Sequence, residues 1–248
     1  MSTVVIEQSF EILRPFIEDI KKHFSDDATI IHNSRNVLKI FDIKNHKVVV
    51  KSFKIPNIIN QIVYSFFRES KAARSYMYSQ KLIDLGIATP MPIAYVEYKK
   101  LGLFKESYYI CEHFDFDFEI RAVLTDEEFK DRDTIYKEFA EFSFKLHNAG
   151  VYHVDYSPGN VLIKKEDEGY LFYIVDVNRM KFIDYTDELR MKNLARFSAN
   201  EKDTVAIATY YAEVSGLEKT WCIERLQQFH NEHQEYIKQK AKLKKMRG

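Results

Sequence analysis

From Thr29 to Phe53 the chain reads TIIHNSRNVLKIFDIKNHKVVVKSF, in which β-branched and polar residues alternate. Polar clusters at Asn33 to Asn36 and Lys44 to His46 break the run into three short antiparallel strands. Residues Ile58 to Leu85 then carry apolar positions at helical spacing with no Gly or Pro, ended by Gly86 with Pro90 and Pro92 behind it. That pattern predicts one long helix, or two in succession. PIAYVEYKK and ESYYICEHF, joined by a turn at Gly102, read as a further hairpin, and helical periodicity returns from Asp126 to Asn148. Two more short strands, VLIKK at 161–165 and YLFYIVDV at 170–177, flank an EDEG turn before helices fill the remainder. Strands precede helices, so the expected fold is α+β and bilobal: a small β-rich lobe over 1–112 and a mainly helical lobe over 113–248.

The chain has 248 residues, 46% hydrophobic and 15% aromatic, enough to bury a sizeable core. Its 37 basic residues balance 37 acidic ones, so no global field argues for a nucleic-acid partner. Cys111 and Cys222 stand far apart without metal-ligand spacing, which signals neither a disulfide framework nor a zinc site. The N-terminus lacks a basic region followed by an apolar run, and no stretch approaches a membrane span, so a cytoplasmic location is expected.

Chemistry concentrates in His153-Val154-Asp155-Tyr156-Ser157-Pro158-Gly159-Asn160, where an Asp is followed five residues later by an Asn. Loops that transfer phosphate from ATP use this spacing: the Asp takes the proton of an acceptor hydroxyl, and the Asn ligates the magnesium that bridges the phosphates. Asp155 is therefore the candidate catalytic base and Asn160 a metal ligand. Asp176, at the end of the apolar strand LFYIV, is a candidate for the second metal ligand. Upstream, Lys51 ends the strand VVVK and is suited to neutralise the α- and β-phosphates, and Glu69, in the helix FFRESKAARSY, is expected to pair with it. Each position has a plainer alternative: a turn-capping pair for Asp155 and Asn160, a strand-end cap for Asp176, and solvated charges for Lys51 and Glu69.

On these residues the sequence resembles the lipopolysaccharide kinase family, protein-kinase-like enzymes that phosphorylate Kdo or heptose. The resemblance runs roughly from Ile30 to Ala212, through VVVKSFKIPNIINQIVYSFFRESKAARSY, GIATPMPIAY, LHNAGVYHVDYSPGNVLI and YIVDVNRMKF. It implies a bilobal kinase fold, ATP with Mg2+, Asp155 as base, Asn160 and Asp176 on the metal, and Lys51 with Glu69 at the phosphates. It also implies a lipopolysaccharide precursor as the hydroxyl-bearing partner. Three departures matter. No glycine lies in Asn33-Ser34-Arg35-Asn36, where a protein kinase has its Gly-rich loop, so Arg35 is expected to contact phosphate instead. Val177 and Asn178 replace the Phe and Gly that normally follow the metal-binding Asp, and Val154 replaces the Arg before the catalytic Asp. Finally, no Ala-Pro-Glu segment follows, which favours small or lipid-linked acceptors over proteins.

The tail IKQKAKLKKMRG gathers Lys238, Lys240, Lys242, Lys244, Lys245 and Arg247, which suits either peripheral contact with an anionic membrane or a solvated end. Two rival readings stand beside the sugar kinase: a kinase of another small hydroxyl compound, such as an aminoglycoside or choline, and a pseudokinase that binds without turnover.

Overall fold

The structure, a computed structural model, describes residues 2–25, 29–33, 36–197 and 200–247. Its contacts divide into two compact units, Met1–Asp115 with Asp176–Asn178, and Phe116–Val175 with Arg179–Gly248.

The first unit holds β1 (Ser2–Ile6), α1 (Arg14–Glu18), α2 (Ile20–Ser25), β2 (Thr29–Asn33), β3 (Asn36–Ile43), β4 (His46–Phe53), α3 (Ile58–Phe66), α4 (Lys71–Asp84), β5 (Pro92–Lys100) and β6 (Leu103–Glu112). Among the described residues the strands form one six-stranded sheet in the order β1-β5-β6-β4-β3-β2, each neighbouring pair antiparallel. The three strands expected between Thr29 and Phe53 are β2, β3 and β4. The β3–β4 and β5–β6 hairpins turn through consecutive left-handed residues, Lys44–Asn45 and Leu101–Gly102, the backbone twist that matches antiparallel strands. The sheet buries both faces. Phe10, Leu13, Phe16, Ile17 and Ile20 pack on Val48, Val50, Ile93, Val96 and Ile110 on one side. Ala72 and Tyr76 of α4 pack with Phe53, Tyr109 and Cys111 on the other.

The helical stretch after Ile58 is two helices. Asn57 caps α3 by accepting from Asn60 N at 2.9 Å, and Ser70 caps α4 by accepting from Ala73 N at 3.1 Å. Two competing N-caps in one apolar run interrupt what periodicity alone would join.

The second unit holds β7 (Phe118–Glu119), α5 (Ile120–Thr125), α6 (Arg132–Asn148), β8 (Val151–His153), β9 (Val161–Lys165), β10 (Tyr170–Ile174), β11 (Met180–Phe182), α7 (Asp187–Leu194), α8 (Glu201–Ser215) and α9 (Lys219–Arg247). The strands are short, in a β10-β9-β7 sheet and a β11-β8 pair, and helices supply the bulk of this unit. The helix expected from Asp126 begins later, at Arg132, behind a left-handed Asp131. The basic tail forms the end of α9. Among the described residues no helix is long and apolar enough to cross a membrane.

A buried ion pair ties α6 to α8: Arg132 Nη2 lies 2.7 Å from Asp203 Oδ1, and the Tyr136 hydroxyl donates to the same oxygen at 3.0 Å. The Asp203 side chain is 2% exposed. Replacing Arg132 by Met leaves a buried carboxylate without its cation, so Arg132→Met is expected to lower the unfolding free energy by about 3 kcal/mol. Urea denaturation measures this; a loss below about 1 kcal/mol would show the pair to be no better than a surface contact.

Candidate active site

Strand alternation aims Lys51. Val48 and Val50 point into the cluster under α1 and α2, so Lys51 shares the opposite face with Val49 and Phe53, on the α4 side. There its Nζ lies 2.5 Å from Asp176 Oδ1, joining residues 125 positions apart. Asp176 has φ of 58°, a left-handed conformation that Asp tolerates better than most residues but that still costs about 1–2 kcal/mol. The Asn178 amide donates to the same carboxylate oxygen at 2.7 Å, so this short side-chain bond and the lysine together stabilise the strained turn.

Glu69 departs from its expected setting. It lies outside any helix, exposed, just before the Ser70 cap, and the ion-pair partner of Lys51 is Asp176. The serine cap explains the difference, since a chain that enters α4 through Ser70 has no helical turn left for Glu69. Glu69 lines a cavity of about 590 Å³ together with Arg68, Arg74, Met77, Tyr78 and Glu97. Burial pushes the Glu97 carboxyl above the usual carboxylate range; the Ser70 hydroxyl opposes this and the charge of Glu69 adds to it.

In the second unit the loop after β8 is held at both ends and in the middle. Buried His153 accepts from Asp155 N through Nδ1 at 3.0 Å, and its Nε2 lies 3.0 Å from the Val175 carbonyl, so Nε2 carries the proton. The histidine acts as a brace, in keeping with a loop-packing rather than proton-carrying role. Tyr156 is buried against Phe139 and Phe197, and its hydroxyl lies 2.8 Å from Ser143 Oγ. With its neighbour anchored in the core, Asp155 is turned outward and half exposed, and Arg196 donates to its Oδ1. Asn160 donates through Nδ2 to the Asp155 carbonyl at 2.8 Å and to Ser157 Oγ at 3.3 Å. With its amide hydrogens spent inside the loop, Asn160 keeps its carbonyl oxygen as the atom a cation would use.

Sequence reasoning missed the support of this loop. Asn193 of α7 donates to the His153 carbonyl at 3.0 Å, and its own Oδ1 accepts from the Tyr185 hydroxyl at 3.1 Å. His147 Nε2 lies 3.3 Å from the same Oδ1, and its Nδ1 lies 2.7 Å from the Tyr211 hydroxyl, which Arg190 also contacts. Arg196 was missed as well. None of these residues stands at a motif spacing; His147, Asn193 and Tyr211 are polar residues buried at helical positions, a signature that needs the fold to be seen.

Arg35 lies outside the described residues. Cys111 and Cys222 are free and buried, and burial raises their thiols to about 12 and about 11, which leaves neither activated as a nucleophile.

A β-rich first part carrying a strand-borne lysine, followed by a helical part carrying an Asp-x-x-x-x-Asn loop, is the plan of protein-kinase-like enzymes. The profile of the lipopolysaccharide kinase (Kdo/WaaP) family matches residues 50–217, and the chain belongs to that family. A relative from Vibrio parahaemolyticus serotype O3:K6 (strain RIMD 2210633), a 3-deoxy-D-manno-octulosonic acid kinase, is 25% identical over 134 residues, 54% of this chain and 53% of that protein. The chain thus matches about half the length of this relative. The solved structure of WaaP in complex with acyl carrier protein shares the fold, with a TM-score of 0.61 at 15% identity over 92% of this chain and 99% of that one.

Proposed function

We propose that this protein transfers the γ-phosphate of ATP to a hydroxyl of Kdo or heptose in the lipopolysaccharide inner core. The observation that carries the reading is the Lys51–Asp176 pair: a strand-borne ammonium held 2.5 Å from a carboxylate whose backbone is left-handed. A strained aspartate retained next to a lysine has the character of a functional feature rather than a surface contact. In this reading Lys51 meets the α- and β-phosphates, with Asp176 released from the ammonium as phosphate arrives. Asp155, with Oδ1 engaged by Arg196, accepts the acceptor's hydroxyl proton through Oδ2.

Asn160 offers a carboxamide oxygen and Asp176 a carboxylate, each a hard donor of the kind that would hold Mg2+. Mg2+, when bound, would neutralise the charge on the transferring phosphate. The absence of an Ala-Pro-Glu segment and the family membership favour a sugar on a lipid precursor over a protein acceptor.

The test is ATP consumption with Mg2+, with and without Kdo-containing lipid A, for wild type and Lys51→Met. Acceptor-dependent turnover is expected in the wild type alone. Equal consumption with and without acceptor sinks the sugar-kinase reading, and turnover only with aminoglycoside or choline acceptors reassigns the substrate class.

A further inference from the structure

Helix α3 is amphipathic the wrong way round for a helix on a protein core. It packs on β6 through its polar side: Phe104 N donates to Ser65 Oγ at 2.8 Å, and Lys105 Nζ donates to Gln61 Oε1 at 2.9 Å. Tyr64 meets the Phe104 ring at 5.6 Å between centroids, and Gln61 is the residue of α3 that is buried. The apolar positions Ile58, Ile59, Ile62 and Phe66 fall on another arc of the helix and are 56%, 70%, 43% and 68% exposed, and Phe67 just beyond is 81% exposed. A helix that buries Gln and Ser while presenting Ile and Phe to water has an unmet apolar face. The tip of the β5–β6 hairpin, joined to α3 by the bonds above, adds Leu101, 96% exposed.

Charge indicates what covers this face. Segments 54–71 and 97–106 carry Lys54, Arg68, Lys71, Lys99, Lys100 and Lys105 against Glu69, Glu97 and Glu106, the last of these paired with Lys21 at 2.8 Å. A second copy in a two-fold dimer would set this positive surface against itself. An anionic lipid surface matches it, with aliphatic and aromatic side chains entering between headgroups and lysines at the rim.

We propose that α3 and the β5–β6 tip form an interfacial membrane-binding surface for anionic lipid. This goes beyond the reaction assigned above and stands whether or not that assignment holds, because lipid binding is read without turnover. It also differs from the basic end of α9, which holds no comparable run of exposed Ile and Phe.

The test is co-sedimentation of the full chain with phosphatidylcholine vesicles, with and without phosphatidylglycerol, at low and high salt. Wild type is expected to bind the anionic vesicles and to weaken with salt. Ile59→Ser with Phe67→Ser should reduce binding at least about tenfold, and Lys54→Gln and Lys100→Gln about fivefold each. All of these positions are exposed, and circular dichroism checks that the variants keep the fold. Failure of wild type to bind anionic vesicles overturns the proposal, as does binding by the Ile59/Phe67 variant equal to wild type, which would move the contact to α9. Vesicle-free self-association of wild type that the same variant abolishes would make the face a dimer contact instead.

Discussion

Asp155→Asn is expected to lower acceptor-dependent ATP turnover by about 10²–10⁴-fold while nucleotide affinity stays within a factor of about two, the cost of losing a positioned general base. The replacement is close to isosteric. An asparagine oxygen still accepts from Arg196, and the loop still hangs on Tyr156 in the core and on the His153 brace. What disappears is an oxygen basic enough to take a hydroxyl proton. The measurement is kcat and KM with the same acceptor for both proteins, alongside nucleotide binding at equilibrium. Turnover within tenfold of wild type removes Asp155 from the chemistry and leaves the loop a structural turn. A parallel loss of nucleotide binding would mean that the substitution had disturbed the site rather than its base.

Acidification is expected to destabilise the second unit through His147. This imidazole is buried, and burial, with Arg190 adding to the effect, lowers its pKa to about 3 from an ordinary 6.5. A histidine depressed in the folded state is neutral there but charges readily in the unfolded chain. Its contribution is therefore complete above pH 6.5 and is lost as pH falls from 6.5 towards 3. Each pH unit in that window removes about 1 kcal/mol or a little more, so roughly 3 kcal/mol is gone by about pH 4.5. His147→Gln keeps hydrogen-bonding capacity without a titrating group and should flatten the slope, whatever it does to stability at pH 7. Urea midpoints measured from pH 7 to 4.5 decide it: parallel curves for the two proteins would mean that other groups carry the acid sensitivity. Because Asn193 bridges His147 and the His153 carbonyl, loss of packing here would also loosen the loop that bears Asp155.

The strand pattern of the first part was legible because antiparallel strands write themselves in period two, with polar turns between. In the structure the same alternation sets Lys51 on one face of β4 with Val49 and Phe53. The Asp155 to Asn160 spacing was legible for a different reason: both residues lie in one short loop, so their geometry is local and Ser157-Pro158-Gly159 sets it. Glu69 was misjudged because apolar periodicity runs through it, whereas the Ser70 cap, a local hydrogen bond, cuts the helix. The apolar period of α3 predicts a helix correctly but does not show which side seats it; Gln61 and Ser65 make those contacts.

The chain by itself indicated most of its strands and helices, their order, its family and the candidate residues for phosphate transfer, because these reside in periodicity, turn residues and one contiguous motif. Tertiary structure alone decided that Lys51 pairs with Asp176, that Arg196 holds Asp155, and that a chain of His147, Tyr185 and Asn193 braces the Asp155–Asn160 loop. Each of those contacts joins residues far apart in sequence, and which distant polar groups meet is set by how the helices and strands pack, a quantity that no local pattern records.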